Sequence, residues 1–333
     1  MRKQVAERAG VSEATVSRVF SESEAVKEKT REKVLKAAAE LGYVPNELAR
    51  QFARKRSGNL GVMLPFVPKA KLFSTYYFYE MMGGISEAAQ QHGADLLLLH
   101  RMPGEDRGCG LLFRQQKIDG LILLGARDIT EEREELLKLD AEGRSFAFVN
   151  QRIDGLEHRA VETDHRRGCF LAAEHLLQQG WRRPAFVKGP PGFSNSLDRL
   201  LGFRDAMPDE LKGEHAVLQG NYSRTSGLAL AGEAAELLRS GRADAFVAGN
   251  DRMAIGLLQG LRQLGYEASR DYGLTGFDDS DGARLMEPTL TSVSASFYET
   301  GRMAALIALQ AQSMPVDKLP VGLVVRESSL KRT

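Results

Sequence analysis

The sequence has few cysteines and no long apolar run. Its two cysteines, Cys109 and Cys169, lie far apart in unrelated surroundings, which predicts free thiols in a reducing cytoplasm rather than a disulfide or half of a metal site. No apolar stretch approaches the ~18–20 residues of a membrane-spanning helix, and the N-terminus has no apolar signal region. We therefore expect a cytoplasmic protein with no membrane partner.

Signatures of catalysis and of cofactor binding are also missing. The chain has no G-x-x-x-x-G-K-S/T phosphate loop and no G-x-S-x-G nucleophile elbow. Gly108-Cys109-Gly110 begins like a dinucleotide-binding fingerprint, but Phe113 stands where that fingerprint needs glycine. The histidines have no metal-ligand spacing, and we expect each at the surface or at a helix end: His92, His100, His158, His165, His175 and His215. These absences predict binding without catalysis, with no cofactor and no metal.

Composition and charge fit a multidomain protein. The 333 residues are 43% hydrophobic and 27% charged, which is ordinary for soluble proteins and enough for two or three domains. The formal net charge is only +1, but residues 1–58 carry 13 lysines and arginines against 8 aspartates and glutamates, so the remainder is mildly acidic. A basic head on an acidic body is typical of a DNA-binding module joined to domains that do not bind DNA.

Residues 2–20 have the pattern of two short helices joined by a tight turn at Gly10, a residue that tolerates positive φ. Small and apolar residues fall where the two helices would pack: Val5, Ala6, Ala9, Val11, Val16 and Val19. Ser12 is placed as N-cap of the second helix, and the outward face of that helix contains Glu13, Ala14, Thr15, Ser17 and Arg18. Short hydroxyls with an arginine suit phosphates and base edges in a major groove. The spacing predicts a helix-turn-helix, with an ordinary helical hairpin as the alternative.

A third helix is predicted over residues 28–41, with Gly42 at its end. Its apolar stripe would consist of Val34, Leu35, Ala38 and Leu41. Together the three helices would form a core too small to be very stable alone.

The next segment, residues 45–58, is strongly basic and starts with a proline, which disfavours helix at Val44. One interpretation is a solvated linker. The other is a hinge helix that becomes ordered on DNA and wedges Leu48 or Phe52 between minor-groove base steps.

From Asn59 onward, short strand patterns alternate with amphipathic helix patterns. The strand candidates are residues 60–64, 95–99, 120–124, 146–149, 160–163, 184–187, 216–218, 245–248 and 273–277. Helix candidates between them include residues 79–92, 168–179, 225–239 and 252–265. This alternation implies parallel sheets with right-handed crossovers, and nine strands are too many for one such small sheet. We predict an α/β body of two doubly wound lobes.

Polar and aromatic residues follow several of these strands. In doubly wound sheets, ligands bind beyond the carboxyl ends of the strands, and carboxylates, amides and aromatic rings suit a small polyhydroxylated or heterocyclic ligand. The residues at such positions are Asn150, Asp164, Asn250, Asp251, Asp278, Asp279, Tyr76, Tyr77, Phe78 and Tyr222. For any single polar residue, a helix N-cap is an equally good interpretation. Recurrence at the same end of several strands favours a ligand site.

The sequence resembles the lactose-repressor (LacI/GalR-type) family of bacterial transcriptional regulators over essentially its full length. The N-terminal motifs that carry the resemblance are Val5-Ala6 through Gly10-Val11-Ser12, Ala14-Thr15-Val16-Ser17-Arg18-Val19, Thr30-Arg31-Glu32-Lys33-Val34 and Leu41-Gly42-Tyr43-Val44-Pro45-Asn46. Those in the body are Asn250-Asp251-Arg252-Met253-Ala254-Ile255-Gly256, Gly276-Phe277-Asp278-Asp279 and Pro288-Thr289-Leu290-Thr291-Ser292-Val293. Their combination and order make the resemblance specific.

The resemblance implies an all-α helix-turn-helix headpiece, a hinge helix, and a core like a periplasmic sugar-binding protein. It also implies a homodimer on a near-palindromic double-stranded DNA operator, with a small-molecule effector between the lobes changing DNA affinity. The implied domains are a headpiece at 1–44, a hinge at 45–58 and a core at 59–333. Within that core the N-lobe would take about 59–159 plus 293–319, and the C-lobe about 160–292 plus 320–333.

Functional residues carry over by position. On the DNA side, Glu13, Ala14 and Arg18 match base-reading positions, and the remaining implied contacts are Ser12, Thr15, Ser17, Asn46, Ala49, Phe52 and Arg54. On the effector side, the implied contacts are Tyr77, Phe78, Asn150, Asp164, Arg199, Tyr222, Asn250 and Asp278. The chain departs from the family pattern at four positions. Met1 stands in place of a threonine cap, and Lys27 stands in place of a serine cap. Phe52 replaces the intercalating leucine, and Ala295 replaces a polar ligand contact found in some members.

We therefore expect an allosteric DNA-binding regulator, most simply a repressor, controlled by a carbohydrate. The polar set favours a sugar or sugar acid over a purine. The alternatives are a solute-binding protein of a transport system, an enzyme on a doubly wound scaffold, and a family member without a small-molecule effector. The dimer surface is expected around Gly84, Ile85 and residues 300–310, although the same apolar residues could instead pack against their own sheet.

Overall fold

The computed structural model describes residues 1–20, 26–44, 56–65, 76–101, 108–211, 213, 215–312 and 317–332. The chain divides into two compact units, Met1–Gly58 and Asn59–Thr333. The division falls where the sequence pattern changes from helices alone to alternating strands and helices. Within the described residues, no helix is both long and apolar enough to cross a membrane.

The first unit contains three helices, α1 (Arg2–Ala9), α2 (Glu13–Phe20) and α3 (Glu28–Glu40). Gly10 ends α1 in the left-handed conformation, with φ of 65°, so the predicted turn is confirmed. The small core that the helices share consists of Val5, Ala6, Val16, Val19, Val34, Ala37 and Ala38.

The predicted apolar stripe of α3 was wrong at two positions. Leu35 is 46% exposed and Leu41 is 39% exposed, whereas Ala37, which was not predicted, is buried. Val34, Ala37 and Ala38 follow the i, i+3, i+4 spacing of one helix face, and Leu35 is turned away from that face. Leu41 caps the helix and lies beyond its last turn. Small alanines at this contact allow the other helices to approach α3 closely.

The second unit contains two sheets. Its strands are β1 (Asn59–Pro65), β2 (Asp95–Arg101), β3 (Gly120–Leu123), β4 (Phe146–Val149), β5 (Ala160–Val161), β6 (Pro184–Lys188), β7 (Val217–Gln219), β8 (Ala245–Ala248), β9 (Gly273–Asp278), β10 (Thr291–Ala295) and β11 (Val321–Val324). The first lobe has strand order β2-β1-β3-β4-β5, and the second has β11-β10-β9-β8-β6-β7. All neighbouring strands are parallel except β10 and β11. The predicted pair of parallel-sheet lobes is confirmed.

Helices cover both sheets. They are α4 (Tyr76–Gln91), α5 (Cys109–Arg114), α6 (Thr130–Ala141), α7 (His165–Gln178), α8 (Ser194–Asp205), α9 (Arg224–Ala229), α10 (Ala231–Arg239), α11 (Asp251–Gln263), α12 (Asp281–Leu285) and α13 (Phe297–Ala308). The single helix predicted over 225–239 is two helices that meet at Leu230. Strands β10 and β11 were not predicted, because β10 is rich in hydroxyl side chains that become buried only through distant partners.

The chain passes between the lobes at three places among the described residues. β5 pairs with β4, so the first passage follows Val161 rather than residue 159. β10 pairs with β9, so the second follows Ala295 rather than residue 292. α13 then packs against α4 of the first lobe, and the chain returns near Leu319. The first and third passages are joined directly, because the Leu319 amide donates to Glu162 O over 2.8 Å and the Asp164 amide donates to Leu319 O over 2.9 Å.

Several residues that were expected at a dimer surface are buried in the core of the first lobe. Ile85, Met303 and Ile307 are all buried within the unit. A methyl group on Gly84 would overlap the carbonyl oxygen of Tyr298, and one on Gly301 would overlap that of Met81. The pairing of α4 with α13 therefore depends on two glycines.

Adding one methyl group at this contact should destabilise the unit. We expect Gly84→Ala to lower the free energy of unfolding by about 1–3 kcal/mol, because the helix backbones would have to separate. The control is Gly232→Ala in α10, where an added methyl group meets no atom within 4 Å. That variant should be neutral or gain up to about 1 kcal/mol from helix propensity. Urea unfolding of both variants checks this, and equal midpoints would contradict the close-packing argument.

Candidate functional site

The N-terminal part of α2 presents the predicted DNA-reading face. Ser12 caps the helix, since its Oγ accepts from the Thr15 amide over 3.2 Å. The two hydroxyl groups of Ser12 and Thr15 lie 2.9 Å apart. Ala14, Ser17 and Arg18 are exposed, along with Ser12, whereas Glu13 and Thr15 are half-buried. Hydroxyls, a methyl group and a guanidinium therefore project from one short helix whose opposite face forms the core.

Glu13 is not a freely mobile carboxylate. Arg2 Nε donates to Glu13 Oε2 over 2.9 Å, which ties the start of α2 to the start of α1. Met1 precedes α1 without a side-chain cap, as the sequence predicts. The hinge candidates Asn46, Ala49, Phe52 and Arg54 lie outside the described residues.

In the second unit, polar side chains collect at the carboxyl ends of strands in both lobes. Asn150 directly follows β4 with φ of 53°, and its Oδ1 accepts from the Thr163 amide over 3.0 Å. Asp278 ends β9 with φ of 124°, and Tyr222, beyond β7, has φ of 67°. Asn250 follows β8 and donates from Nδ2 to Tyr222 O over 3.1 Å. Three residues with positive φ among four such positions show that the backbone bends sharply where these side chains turn toward the cleft.

Arg199, on α8, is the most enclosed charged group of this cleft. It is 3% exposed. Its guanidinium lies 3.8 Å from the centre of the Phe277 ring and 5.6 Å from that of Tyr222. Its Nη1 donates to Gly249 O, while Nε and Nη2 lie 3.4 and 3.2 Å from Nδ1 of His165. Aromatic faces and neutral acceptors thus fix the orientation of this arginine.

Tyr77, on α4 of the first lobe, reaches the side chains of the second lobe. Burial raises the pKa of Tyr77 to about 12; nearby Asn150 and Arg199 oppose this shift, and Asp278 adds to it. The Phe78 ring packs edge-on against Tyr77, with ring centres 5.0 Å apart. Residues of both lobes therefore form one site.

The structure brings seven of the eight predicted effector residues together and gives the eighth a different role. Asp164 is the N-cap of α7, where its Oδ1 accepts from the Arg167 amide over 3.0 Å. Asn250 caps α11 in the same way but also lines the cleft through its contact with Tyr222. The N-cap alternative is thus the observed arrangement for Asp164 and part of the observed arrangement for Asn250.

Sequence reasoning missed His165 and Phe277, which both contact Arg199. His165 was expected at the surface or at a helix end; it is the first residue of α7, but it is only 1% exposed. Burial, and next the charge of Arg199, lower its pKa well below the usual value. Its position just after the predicted strand 160–163 could have suggested the site. Within the described parts of the chain, the buried Nε2 atom of His165 has no hydrogen-bond partner.

The two lobes are held together at one edge of the cleft. Gln151 Oε1 accepts from the Ser194 amide and Ser194 Oγ accepts from the Arg152 amide, both over 2.8 Å. The Arg152 guanidinium then forks onto Asp198, with Nη2 2.7 Å from Oδ1. Asn150 and Arg199 are almost fully buried in this arrangement.

A buried acidic cluster lies behind the cleft in the second lobe. Asp251 is fully buried and accepts hydrogen bonds from the Ser280 amide and hydroxyl, both over 2.8 Å, and from the Ser292 hydroxyl over 2.5 Å. Burial raises the pKa of Asp251 to about 6 despite these bonds. Burial, and next the charge of Asp251, raise the pKa of Asp278 well above its usual value. Asp279, in contrast, is paired with Arg326 and Arg284.

Known proteins share this combination of a helix-turn-helix and a two-lobed body. Residues 3–46 match the profile of the bacterial regulatory proteins of the lacI family, and residues 173–329 match that of a periplasmic binding protein-like domain. The HTH-type transcriptional regulator CelR of Thermobifida fusca is 31% identical over 97% of this chain and 96% of its own length. A solved CelR–cellobiose complex is 30% identical, with a TM-score of 0.71 over 98% of this chain and 99% of that one. A lac repressor dimer bound to operator and the anti-inducer ONPF is 28% identical, with a TM-score of 0.81 over 98% of each chain.

The fold and the two sites define a DNA-binding transcriptional regulator. The chain belongs to the LacI family of bacterial regulatory proteins, as the full-length similarity to CelR shows. Members of this family are transcriptional regulators and not enzymes. The resemblance found in the sequence is confirmed.

The raised pKa of Asp251 predicts a specific pH dependence of stability. The folded protein holds this proton more tightly than the unfolded chain, so the penalty for burying the charge is absent below about pH 4 and grows as the pH rises through about 6. We expect Asp251→Asn to remove this penalty. Between pH 4 and 7 its free energy of unfolding should rise by roughly 2 kcal/mol relative to that of the parent protein.

Urea unfolding at several pH values measures this difference. Asp95→Asn, at an exposed strand start, is the control for the loss of a carboxylate that is not buried. A difference between Asp251→Asn and the parent that does not change with pH would contradict the assignment.

Proposed function

We propose that this protein is a cytoplasmic repressor without enzymatic activity that binds a near-palindromic operator as a homodimer. A small carbohydrate bound between its lobes sets its affinity for DNA. The observation that carries the proposal is the cleft in which Tyr77 and Asn150 of one lobe meet Arg199, Tyr222 and Asp278 of the other. The relatives support it, since one solved neighbour is a dimer on operator DNA and another contains cellobiose.

Regulation would follow from linkage between the cleft and the DNA. A ligand that binds the closed lobes more tightly than the open lobes shifts the population toward closure. In a dimer, that shift changes the separation of the two segments at 45–58 and so whether both can become ordered on one operator. Such coupling is typically worth about 1–3 kcal/mol, or roughly 5–150-fold in affinity.

The DNA contacts would be divided between α2 and the hinge. We assign base reading to Glu13, Ala14 and Arg18, and base or phosphate contacts to Ser12, Thr15 and Ser17. Asn46, Ala49, Phe52 and Arg54 would contact the minor groove, with Phe52 as the wedge. One recognition helix reads only a few base pairs, so a second copy one helical turn away supplies the remaining specificity.

Arg18 should contribute sequence specificity and not charge alone. After an operator has been selected from a random duplex library, we expect Arg18→Ala to weaken its binding by about 1–3 kcal/mol and to relax the preference at one base pair per half-site. The matched control is Arg8→Ala on α1, where the arginine pairs with Glu40 and the same charge is removed. Fluorescence anisotropy against operator and scrambled duplexes measures both. Equal losses for the two variants on both duplexes would count against base reading by Arg18.

Mutation of the cleft should abolish the response to the effector without weakening operator binding in the absence of ligand. In a screen of sugars by thermal shift, a compound that stabilises the protein should also change operator affinity by roughly 5–150-fold. Asp278→Ala should abolish that change while leaving ligand-free operator binding within about twofold, because the residue lies in the second unit. The idea fails if no compound in a broad sugar panel alters operator affinity.

A further inference from the structure

We propose that Arg2, on α1, is a positioning residue for DNA recognition by α2. Arg2 holds one oxygen of the Glu13 carboxylate, and the other oxygen accepts a hydrogen bond from the amino group of a cytosine in the operator. This inference rests on the proposed assignment of Glu13 to base reading. It adds a residue of another helix to that assignment and names the base that is read.

The contact between these two side chains uses only half of the carboxylate. Arg2 Nε donates to Glu13 Oε2 over 2.9 Å, which is a hydrogen bond between two charged groups and therefore one of the stronger kind. Among the described residues, no donor is bonded to the other oxygen, Oε1. Of the Glu13 side chain, 43% is exposed, so this oxygen is open to a partner from outside the protein.

Packing of the headpiece core places the two residues opposite each other. Arg2 comes three residues before Val5 in α1, and Glu13 comes three residues before Val16 in α2. Both valines are fully buried between the helices. Residues three apart share one face of a helix, so the ion pair lies at the edge of the contact between α1 and α2. The shared core thus fixes the separation of the two backbones that carry the pair.

Glu13 is the one acidic residue of α2, whose other exposed side chains suit DNA. A carboxylate that approaches the groove is repelled by the phosphates on both strands unless a cation balances its charge. Arg2 supplies that cation from the neighbouring helix. The pair therefore lets a carboxylate approach the bases without the full cost of its negative charge.

The chemistry of a carboxylate determines which base it reads. An ionised carboxylate only accepts hydrogen bonds, so its partner in the major groove must be an amino group. Cytosine presents its N4 amino group there, whereas guanine presents two acceptors and thymine presents an acceptor and a methyl group. Adenine presents an amino group next to the acceptor N7, which repels a carboxylate. Glu13 held by Arg2 therefore favours cytosine.

A matched set of operators measures this preference. An operator is first selected from a random duplex library with the full-length protein, and each base pair is then changed in turn in both half-sites. At one position we expect cytosine to be preferred over the other bases by about fivefold or more. Glu13→Gln, which keeps the shape of the side chain but not its charge, should lose that preference. Fluorescence anisotropy gives the ratio of affinities at each position.

Variants of Arg2 test its positioning role. Arg2→Ala should reduce the cytosine preference by about two- to fivefold, which is the range over which an exposed ion pair couples two side chains. Arg2→Lys, which keeps the charge, should retain part of the preference. In the Glu13→Gln background, Arg2→Ala should leave every base preference unchanged, because no carboxylate remains to be held.

The matched control is Arg8→Ala. Arg8 pairs with Glu40 over 3.0 Å, and the two side chains are 64% and 40% exposed, so this variant breaks a similar pair on the same helix α1. It removes the same charge as Arg2→Ala and should leave the base preferences unchanged. Thermal melts establish that each variant is folded.

The results separate this inference from the proposed function. If Arg2→Ala weakens binding to every operator by the same factor, Arg2 contacts only phosphate or supports only the fold, and the inference is overturned. It is also overturned if Arg2→Ala still changes the base preferences in the Glu13→Gln background. In both cases the proposed operator binding stands. If the library yields no preferred sequence, the proposed operator binding fails and this inference fails with it.

Discussion

The buried guanidinium of Arg199 is the constraint around which the second lobe is arranged. Removing a charge from water is costly unless fixed dipoles replace the lost hydration. Here the Gly249 carbonyl, the neutral ring of His165 and the face of Phe277 perform that task. Each comes from the end of a different element, so the ends of β8 and β9 and the start of α7 must all be placed correctly before the arginine can be buried.

The hydroxyl side chains of β10 stabilise the part of the second lobe that contains Asp251. Ser292 donates to the fully buried Asp251, and Thr291 bonds to Ser329 near the C-terminal end of the described chain. Because these bonds join residues far apart in sequence, they stabilise the tertiary structure of the lobe rather than any local segment. They also explain why a strand of threonine and serine can lie in the middle of a sheet between β9 and β11. Asp251 and Arg199 are thus held by different sets of residues within one lobe.

Most of the architecture follows from local sequence patterns, and what does not follow depends on contacts between distant residues. The helix-turn-helix, nine strands and the two-lobed plan were predictable, because the apolar spacing and glycine turns act within a few residues. β10 was missed because its buried hydroxyls bond to residues distant in sequence, such as Asp251 and Ser329. The burial of His165 was not predicted, although its position at a helix end was, because its contacts with Arg199 and Phe277 come from other elements. The candidate cleft was predicted well at strand ends, where topology alone brings residues together, and poorly where a residue acts through another side chain.

The segments of chain that pass between the two lobes are linked to one another. Two of them are hydrogen-bonded side by side at Glu162, Asp164 and Leu319, and Thr163 lies 3.3 Å from Thr300 in the helix that follows the other. Because these bonds tie the passages to one another, a change in the angle between the lobes must be shared by all the linked segments and cannot be confined to one loop. The same segments would bend whichever ligand occupies the cleft.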